Sequence, residues 1–182
     1  MSKLWEVFEE DLERAVRNDY LKIVKNLNEN IYSVALVTDS FAKSLFLALN
    51  THESLAKAKA KEKYIREIKP KEDYFKNVLK WTPSEWAYGN DDLNDSEIKN
   101  ISHKLAQIDD SSDEFQAEFY ESLTGVLNTL KKSGLFPEND FTLFISVTDD
   151  DRSEAVENYA AQLLNSKDVF MKFKERYSDQ PA

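Results

Sequence analysis

The sequence predicts an α+β fold in which a small, mainly antiparallel sheet of about three or four strands is covered by several helices. Three observations support this prediction. Runs of β-branched and aromatic residues with strand length occur at only three places in the 182 residues. Helical spacing of apolar residues dominates the rest of the chain. The 41% apolar content, with 11 Phe, 8 Tyr and 3 Trp, is enough to form a full core.

The length favours one domain. A chain of this size buries roughly 70% of its unfolded surface in a single core, and two independent domains would be cramped. We therefore expect residues 1–177 to form one α+β domain. Residues 178–182 have little to pack against a core and are expected to form a frayed C-terminal tail.

The first elements are a helix and a hairpin. Apolar residues at three- and four-residue spacing predict a helix from about Lys3 to Asn28, which Asn18 and Asp19 could break in two. The run Ile31–Thr38 predicts the first strand. A second apolar segment, Lys43–Leu49, follows after a turn-length gap, so a β-hairpin is the simplest connection.

A basic helix comes next. Asn50 and Thr51 supply an N-cap for an Ala- and Lys-rich helix that Pro70 ends. Between Lys57 and Lys71 there are seven basic residues and two acidic ones. A solvated helix face explains this run better than a nucleic-acid-binding patch, because no Gly-rich loop or aromatic platform accompanies it.

The segment Trp81–Trp86 predicts the start of a helix. Thr82 has the residue type of an N-cap, Pro83 suits the first helical position, and Glu85 completes a capping box. The two tryptophans would then pack against each other as a hydrophobic staple.

The second half of the chain is mostly helical. A polar loop at Gly89–Asp95 precedes a helix through Ile98 and Leu105. Ser111 and Glu114 form a capping-box pattern for a longer helix that ends at Gly134. Gly125 lies inside this helix, where a glycine lowers helix stability by about 1 kcal/mol relative to Ala. Because close packing against a neighbouring element would explain a residue without a side chain, we expect such packing there.

The third strand and two final helices complete the chain. Phe141–Thr148 has the composition of a strand. Helical spacing follows in one segment through Val156 and Leu163, and in another through Val169 and Tyr177.

Composition limits the location and the partners. The chain has no cysteine, which rules out disulfides and thiolate chemistry and favours the cytoplasm. Its N-terminus lacks the apolar stretch of a signal peptide. The longest apolar run, Leu45–Leu49, is far shorter than the about 20 residues that span a bilayer. A net charge of -10 disfavours nucleic acid as a general partner.

Most familiar enzyme classes lack their motifs in this sequence. The two histidines, His52 and His103, have no acidic partner at a recognisable spacing. The three glycines are not clustered, so there is no nucleophile elbow, P-loop or dinucleotide-binding fingerprint. We therefore predict no catalytic residue and no cofactor.

One set of carboxylates leaves a metal-dependent alternative open. Asp39 follows the first strand, and the run Asp149, Asp150 and Asp151 follows the third. Val-Thr directly precedes Asp39 in the first case and Asp149 in the second. If these two strands were parallel and adjacent, the carboxylates would converge and could bind Mg²⁺ or Ca²⁺. Turn and cap hydrogen bonding is the simpler role for such aspartates, and we predict no metal site.

Two features are candidates for partner binding. Trp81, Trp86 and Tyr88 could form an aromatic anchor, although packing of the staple also explains both tryptophans. Residues 91–114 carry eight acidic and two basic residues, and residues 138–157 carry seven and one. Such clusters steer basic partners into contact. The candidate partner-binding residues are therefore Trp81, Trp86, Tyr88, Asp149, Asp150 and Asp151.

Several segments together resemble a bacterial family known as domain of unknown function 4303. The segments are Ile31–Asp39, Asn50–Glu53, Lys80–Tyr88, Leu123–Phe136 and Phe144–Asp149. Of these, Trp-x-Pro-x-Glu-Trp is the most distinctive. The resemblance implies a one-domain intracellular protein and carries over no catalytic residue.

In size and acidity the chain also resembles immunity proteins that accompany bacterial toxins. The leading hypothesis is a non-enzymatic protein-binding module, an immunity-type inhibitor whose partner is a basic toxin domain. The alternative is a metal-dependent enzyme that uses the strand-end aspartates. A regulatory module that uses the basic helix to contact nucleic acid or anionic lipid is a third hypothesis.

Overall fold

The computed structural model describes residues 3–65, 78–138 and 140–177. Its helices are α1 (Lys3–Val24), α2 (His52–Ile65), α3 (Glu97–Leu105), α4 (Asp113–Lys132), α5 (Ser153–Leu164) and α6 (Lys167–Lys174). Residues 78–81 are also helical, and single 3-10 turns cover Pro83–Glu85, Asn90–Asp92 and Glu175–Tyr177. The strands are β1 (Ile31–Asp39), β2 (Phe46–Thr51), β3 (Tyr88–Gly89) and β4 (Thr142–Thr148). The predicted α+β class is confirmed.

The four strands form one sheet in the order β3-β2-β1-β4. β2 runs antiparallel to both β1 and β3, and β4 runs parallel to β1. The predicted hairpin and the mainly antiparallel sheet are thus confirmed. β2 starts at Phe46, later than predicted, because the backbone N–H groups of Phe41 and Lys43 donate to the Asp39 carboxylate and fold this segment into a turn.

Helices and aromatic side chains cover both faces of the sheet. Alternate residues point to opposite faces, so Val34 and Leu36 join the core under α1, α3 and α4, whereas Ala35 and Val37 join a second cluster. The second cluster also contains side chains from α2, α6 and the helical residues before β3: Leu55, Phe173 and Trp81. Burial on both faces explains why the three longer strands are continuous apolar runs in the sequence.

A buried ion pair fixes the end of α6 to α5 and the sheet. Arg176 is 1% exposed, and its guanidinium donates to the Glu157 carboxylate at 2.8 Å. Ser146 of β4 donates to the same carboxylate at 2.9 Å, and Asn158 accepts from Arg176 at 2.6 Å. Burial raises the pKa of Glu157, while the ion pair and these hydrogen bonds oppose the shift. Removing one partner of such a pair is expected to be costly.

Asn165 occupies the outer edge of β4. Its side-chain amide donates to the Leu143 carbonyl at 2.7 Å, and its amide oxygen accepts from the Leu143 N–H at 2.9 Å. The side chain therefore provides both hydrogen bonds that a neighbouring strand would offer at this residue.

The first helix differs from its prediction. α1 ends at Val24 and continues through Asn18 and Asp19 without a break. Asp19 is fully buried and accepts hydrogen bonds from Ser96 Oγ at 2.7 Å and from the N–H of Ile98 at 3.1 Å. Its carboxylate satisfies the free N–H groups at the start of α3, which explains a polar residue on the inner face of α1.

The helix predicted to start at Thr82 is only a single 3-10 turn: Thr82 is its N-cap residue and Pro83 its first residue, as predicted, but no α-helix follows. Residues 78–81 are helical, and the Thr82 N–H donates to the Val78 carbonyl at 2.9 Å. The Thr82 side chain makes no cap hydrogen bond, and Pro83–Glu85 is a single 3-10 turn. Trp86 is extended because the chain then enters β3, which pairs with β2. Tertiary pairing therefore overrides a strong local helix signal.

The loop predicted at Gly89–Asp95 contains part of a strand. Gly89 pairs with Ala48, and a Cβ on Gly89 would lie 2.9 Å from the Leu47 carbonyl oxygen. The absence of a side chain thus lets β3 approach β2 closely.

Two predictions about α4 are also wrong in detail. Its N-cap is Ser112, whose hydroxyl accepts from the Phe115 N–H, and not Ser111. Gly125 is exposed, and an added Cβ would have no neighbour within 4 Å, so close packing does not explain this glycine. The predicted end of the helix is confirmed, since Gly134 has a φ of 76° and follows the last turn.

Some predictions lie outside the described residues. These are the helix end at Pro70, the basic residues of the Lys57–Lys71 run beyond residue 65, and the tail 178–182. Within 3–65, 78–138 and 140–177, no helix combines the length and the apolar character that crossing a membrane requires.

Candidate functional site

The parallel pairing of β1 and β4 brings separate acidic segments together. Asp39 lies opposite Thr148 in the register, so the residues that follow both strands leave the same end of the sheet. A third segment, the loop before α4, joins them there. We call this surface the acidic end and define it by Asp39, Asp109, Asp110, Asp113, Asp149, Asp150 and Asp151. Five of its members, all except Asp39 and Asp150, are exposed.

Two cationic side chains connect the three loops of the acidic end. Lys43 Nζ, in the loop after β1, donates to the backbone carbonyls of Ile108 and Asp110 in the loop before α4. Arg152 NH1, after β4, donates to Asp113 at 3.0 Å and its NH2 to Gln116 at 3.0 Å. These contacts hold segments that are distant in sequence as one surface.

Backbone hydrogen bonds fix the less exposed carboxylates. Asp39 Oδ1 accepts from the N–H groups of Phe41 at 2.8 Å and Lys43 at 3.1 Å. Asp150 Oδ1 accepts from the Arg152 N–H at 2.7 Å. The predicted turn role of these aspartates is thereby observed, whereas neither residue is the N-cap of α5, which is Arg152.

Hydrogen bonds and ion pairs shift the pKa values of three groups at the acidic end. The backbone N–H and then the guanidinium of Arg152 hold the pKa of Asp150 below its ordinary value. The Ser112 N–H likewise lowers the pKa of Asp110. Asp150 and Asp113 raise the pKa of Arg152. Asp110, Asp150 and Arg152 are therefore ionised at neutral pH.

Tyr120 of α4 lies beneath this surface. Its hydroxyl is buried and has no hydrogen-bond partner within the described part of the chain. Burial, and to a smaller extent the carboxylates of Asp150 and Asp39, raise the pKa of Tyr120 to about 12. Sequence reasoning missed both Tyr120 and Arg152; only the position of Arg152 directly after three aspartates was a usable signal.

Phe41 adds an apolar group to the acidic end. It is 60% exposed in the turn after Asp39, next to Ala42, which has a φ of 57°. The Asp39 carboxylate fixes the backbone of Phe41 through the hydrogen bond described above. An exposed aromatic side chain on a fixed backbone, with carboxylates around it, can insert into an apolar pocket of a partner.

The geometric condition for the metal alternative is met in part. β1 and β4 are parallel and adjacent, as that hypothesis required. Among residues 3–65, 78–138 and 140–177, however, no group of three or more His, Cys, Asp or Glu side chains is arranged to hold a metal ion. In two of the four aspartates, Asp39 and Asp150, one carboxylate oxygen already accepts a hydrogen bond from a backbone N–H group.

The aromatic candidates lie elsewhere. Trp81 is 5% exposed, and its ring packs edge-on against Phe144 and Phe173. This burial corrects the suggestion that Trp81 is an exposed anchor and favours the structural interpretation. Trp86 is half-buried against Phe144, and the half-buried Tyr88 donates its hydroxyl to Glu29 at 2.9 Å.

Trp86 and Tyr88 do not join the aspartates in one site. Tyr88 belongs to β3, and β3 and β4 are the two outer strands of the sheet. Three strand spacings separate them, roughly 14 Å across the sheet. The six candidate residues therefore divide into two separate regions, of which only Asp149–Asp151 belong to the acidic end.

A second acidic surface lies on the α1–α4 face. It is an open groove of about 230 Å³. Its lining residues are Glu6, Glu9, Glu10, Glu13, Gly125, Val126 and Thr129. Because Gly125 has no side chain, the groove extends down to the backbone of α4. The three- and four-residue spacing of glutamates along α1 could have revealed one wall of the groove, but not the opposite wall on α4.

Comparison with known proteins agrees with the resemblance seen in the sequence. Residues 12–166 match the model of the family described as Domain of unknown function (DUF4303). Searches of curated proteins and of solved structures found no match to this chain. The family match includes β1, β2, β3, β4 and the whole acidic end. The chain therefore belongs to the DUF4303 family, a domain of unknown function.

Proposed function

We propose that this protein is a non-enzymatic module that binds another protein through its acidic end. In its most specific form, the proposal is an immunity-type inhibitor that covers a basic domain of a bacterial toxin. The observation that carries the proposal is Phe41, 60% exposed on a turn whose neighbouring loops contribute the carboxylates of the acidic end. Exposed aromatic anchors with a polar rim are the usual centres of protein interfaces.

The charges support a basic partner. The acidic loops act together because Lys43 and Arg152 join them, and the lowered pKa values of Asp110 and Asp150 keep these two carboxylates ionised. A surface of one sign accelerates encounter with the opposite sign and selects against acidic partners. The net charge of -10 extends this preference to the whole molecule and opposes a general nucleic-acid partner.

We also propose a cytoplasmic location. The chain has no cysteine, so it cannot use the disulfides that stabilise many secreted domains. An inhibitor of a toxin that acts inside the cell would work in that compartment.

Co-expression with the product of the neighbouring gene tests the specific form of the proposal. We expect a complex that copurifies and a rescue of growth when that product is toxic. Mass spectrometry of proteins captured from native lysate tests the general form. Absence of a complex and of rescue would contradict the immunity role.

Surface variants test whether the acidic end is the contact. Phe41→Ala should weaken binding about tenfold or more, because an interface aromatic is lost. Asp151→Lys should slow association and reduce its dependence on salt. Asp168→Lys is the matched control, because it makes the same change of charge at an exposed residue. Asp168 lies in the first turn of α6, near Asn165, which contacts the end of β4 opposite the acidic end. Equal effects of both Lys variants would contradict a role for the acidic end.

The metal-dependent enzyme remains the second candidate because β1 and β4 are parallel neighbours. Calorimetric titration with Mg²⁺, Mn²⁺ and Ca²⁺ separates it from the first. Binding that is lost in Asp39→Asn and retained in Asp168→Asn would favour the enzyme. Silence for all three ions at millimolar concentration would remove it.

A further inference from the structure

The groove on the α1–α4 face contains a glycine that the fold does not explain. Gly125 lies inside α4, where a glycine is less favourable than an alanine. It is exposed, and an added Cβ would meet no neighbour within 4 Å. Its φ is not positive, in contrast to that of Gly134. Neither close packing nor backbone geometry therefore requires a glycine at this position.

The opposite wall of the groove has a second unfavourable feature, a row of like charges. Glu6 and Glu10 are four residues apart on α1, and so are Glu9 and Glu13. Carboxylates at this spacing are neighbours on the surface of a helix and destabilise it. Glu13 contacts Arg17 at 3.3 Å, whereas the other three glutamates form no ion pair within the described part of the chain. Three carboxylates of the groove are thus left without a cation among these residues.

The two unfavourable features line the same cavity. The groove of about 230 Å³ is lined by the four glutamates of α1 and by Gly125, Val126 and Thr129 of α4. Local features that lower stability tend to occur at functional sites, so their coincidence favours a binding role for the groove. Its volume is below the roughly 300 Å³ at which pockets for drug-sized ligands begin. The groove therefore fits a single side chain better than a cofactor.

We propose that this groove receives an arginine side chain of a partner protein. The space beside Gly125, Val126 and Thr129 accommodates the hydrocarbon part of the arginine, and its guanidinium donates to the carboxylates of α1. A cation between the glutamates also offsets their mutual repulsion. Arginine is favoured over lysine because its planar guanidinium can contact two carboxylates at once. The groove shares no residue with the acidic end, so this contact is independent of the function proposed above.

Backbone amide NMR with three short alanine-based helical peptides tests the contact. The peptides carry two arginines, two lysines or two citrullines at positions i and i+4. The arginine peptide should shift the signals of Gly125 and Thr129 in a saturable manner and bind about tenfold more tightly than the lysine peptide. The uncharged citrulline peptide should leave both signals in place. Equal binding of the lysine or citrulline peptide would overturn the proposal, and so would shifts at Asp149 and Asp151 without a shift at Gly125.

Variants of the groove make the test specific. Gly125→Leu should fill the groove and weaken binding of the arginine peptide about tenfold or more. The matched control Ala155→Leu adds the same side chain at an exposed residue of α5 and should bind like the unaltered protein. Glu10→Gln tests the charge if Gly125→Leu does not fold, and it should weaken binding whereas Glu154→Gln, on α5, should not. Unchanged affinity in folded Gly125→Leu or in Glu10→Gln, or an equal loss in the α5 controls, would overturn the proposal.

Discussion

The acidic end and the segment that carries Lys80 lie near opposite ends of β1 and are held by different kinds of contacts. At the acidic end, Asp39 and Asp150 bond within their own turns, to the N–H groups of Phe41 and Arg152, and only then do strand pairing and Arg152 bring the loops together. The segment that carries Lys80 depends on a contact between distant residues, the hydrogen bond from the Tyr32 hydroxyl to the Lys80 carbonyl. The two regions should therefore respond differently to changes in the core.

The largest effect is expected from Arg176→Met, which tests how far the core depends on the buried ion pair between Arg176 and Glu157. The substitution leaves the Glu157 carboxylate buried without its cation, and the free energy of unfolding should fall by about 3–5 kcal/mol. Urea unfolding at neutral pH measures this difference.

The double variant with Glu157→Gln is the control for this experiment. It removes the uncompensated charge and should recover part of the lost stability. Binding at the acidic end should remain in both variants while they are folded. A stability change below about 1 kcal/mol would show that the buried pair does not hold α6.

A smaller effect is expected at the acidic end from Asp150→Ala. Loss of the hydrogen bonds to Arg152 should reduce the free energy of unfolding by about 1–2 kcal/mol at neutral pH. The pKa of Asp150 is lower in the folded state than the ordinary 3.8, so the carboxylate stabilises the fold above that pH. The difference between variant and unaltered protein should shrink as the pH falls below 3.8 and through the folded pKa.

Denaturant unfolding between pH 7 and pH 2 measures this dependence. Asp150→Asn keeps an acceptor for the Arg152 N–H but not the charge, so it should cost less than Asp150→Ala. A difference for Asp150→Ala that grew toward low pH would contradict the assigned direction of the pKa shift.

The smallest effect is expected on the α1–α4 face, which belongs to neither region. Gly125→Ala should raise the free energy of unfolding by somewhat less than about 1 kcal/mol, because the helix gains a better former and the new Cβ meets no neighbour. Gly134→Ala is the contrasting control and should destabilise, since Gly134 has a φ of 76°. Thermal unfolding of both variants tests the contrast. Partner binding that fails in Gly125→Ala would identify the acidic groove as the contact surface.

The sheet was the more predictable part of the fold. β1, β2 and β4 are buried on both faces, so their sequences are continuous apolar runs that end in polar turns. Gly134 likewise ended α4 where a left-handed residue is needed. β3 was not predicted, because its two residues, Tyr88 and Gly89, follow a capping-box pattern that predicts a helix. Its pairing with β2 depends on residues forty positions away, which no local pattern contains.

The candidate sites also contain some features that the sequence predicted and others that it did not. Asp149–Asp151 and their relation to Asp39 were predictable, because each aspartate follows a recognisable strand. The exposure of Phe41 was not, since an aromatic residue beside an apolar segment suggests burial. The burial of Trp81 could be anticipated from its neighbours, but its contacts with Phe144 and Phe173 could not.

The amide of Asn165 has a consequence for the behaviour of the protein at high concentration. An outer strand with free N–H and C=O groups can pair with a strand of another molecule and start aggregation. Asn165 occupies both groups of Leu143, and at the other edge β3 is only two residues long. Together they shorten the edges along which a second molecule could extend the sheet.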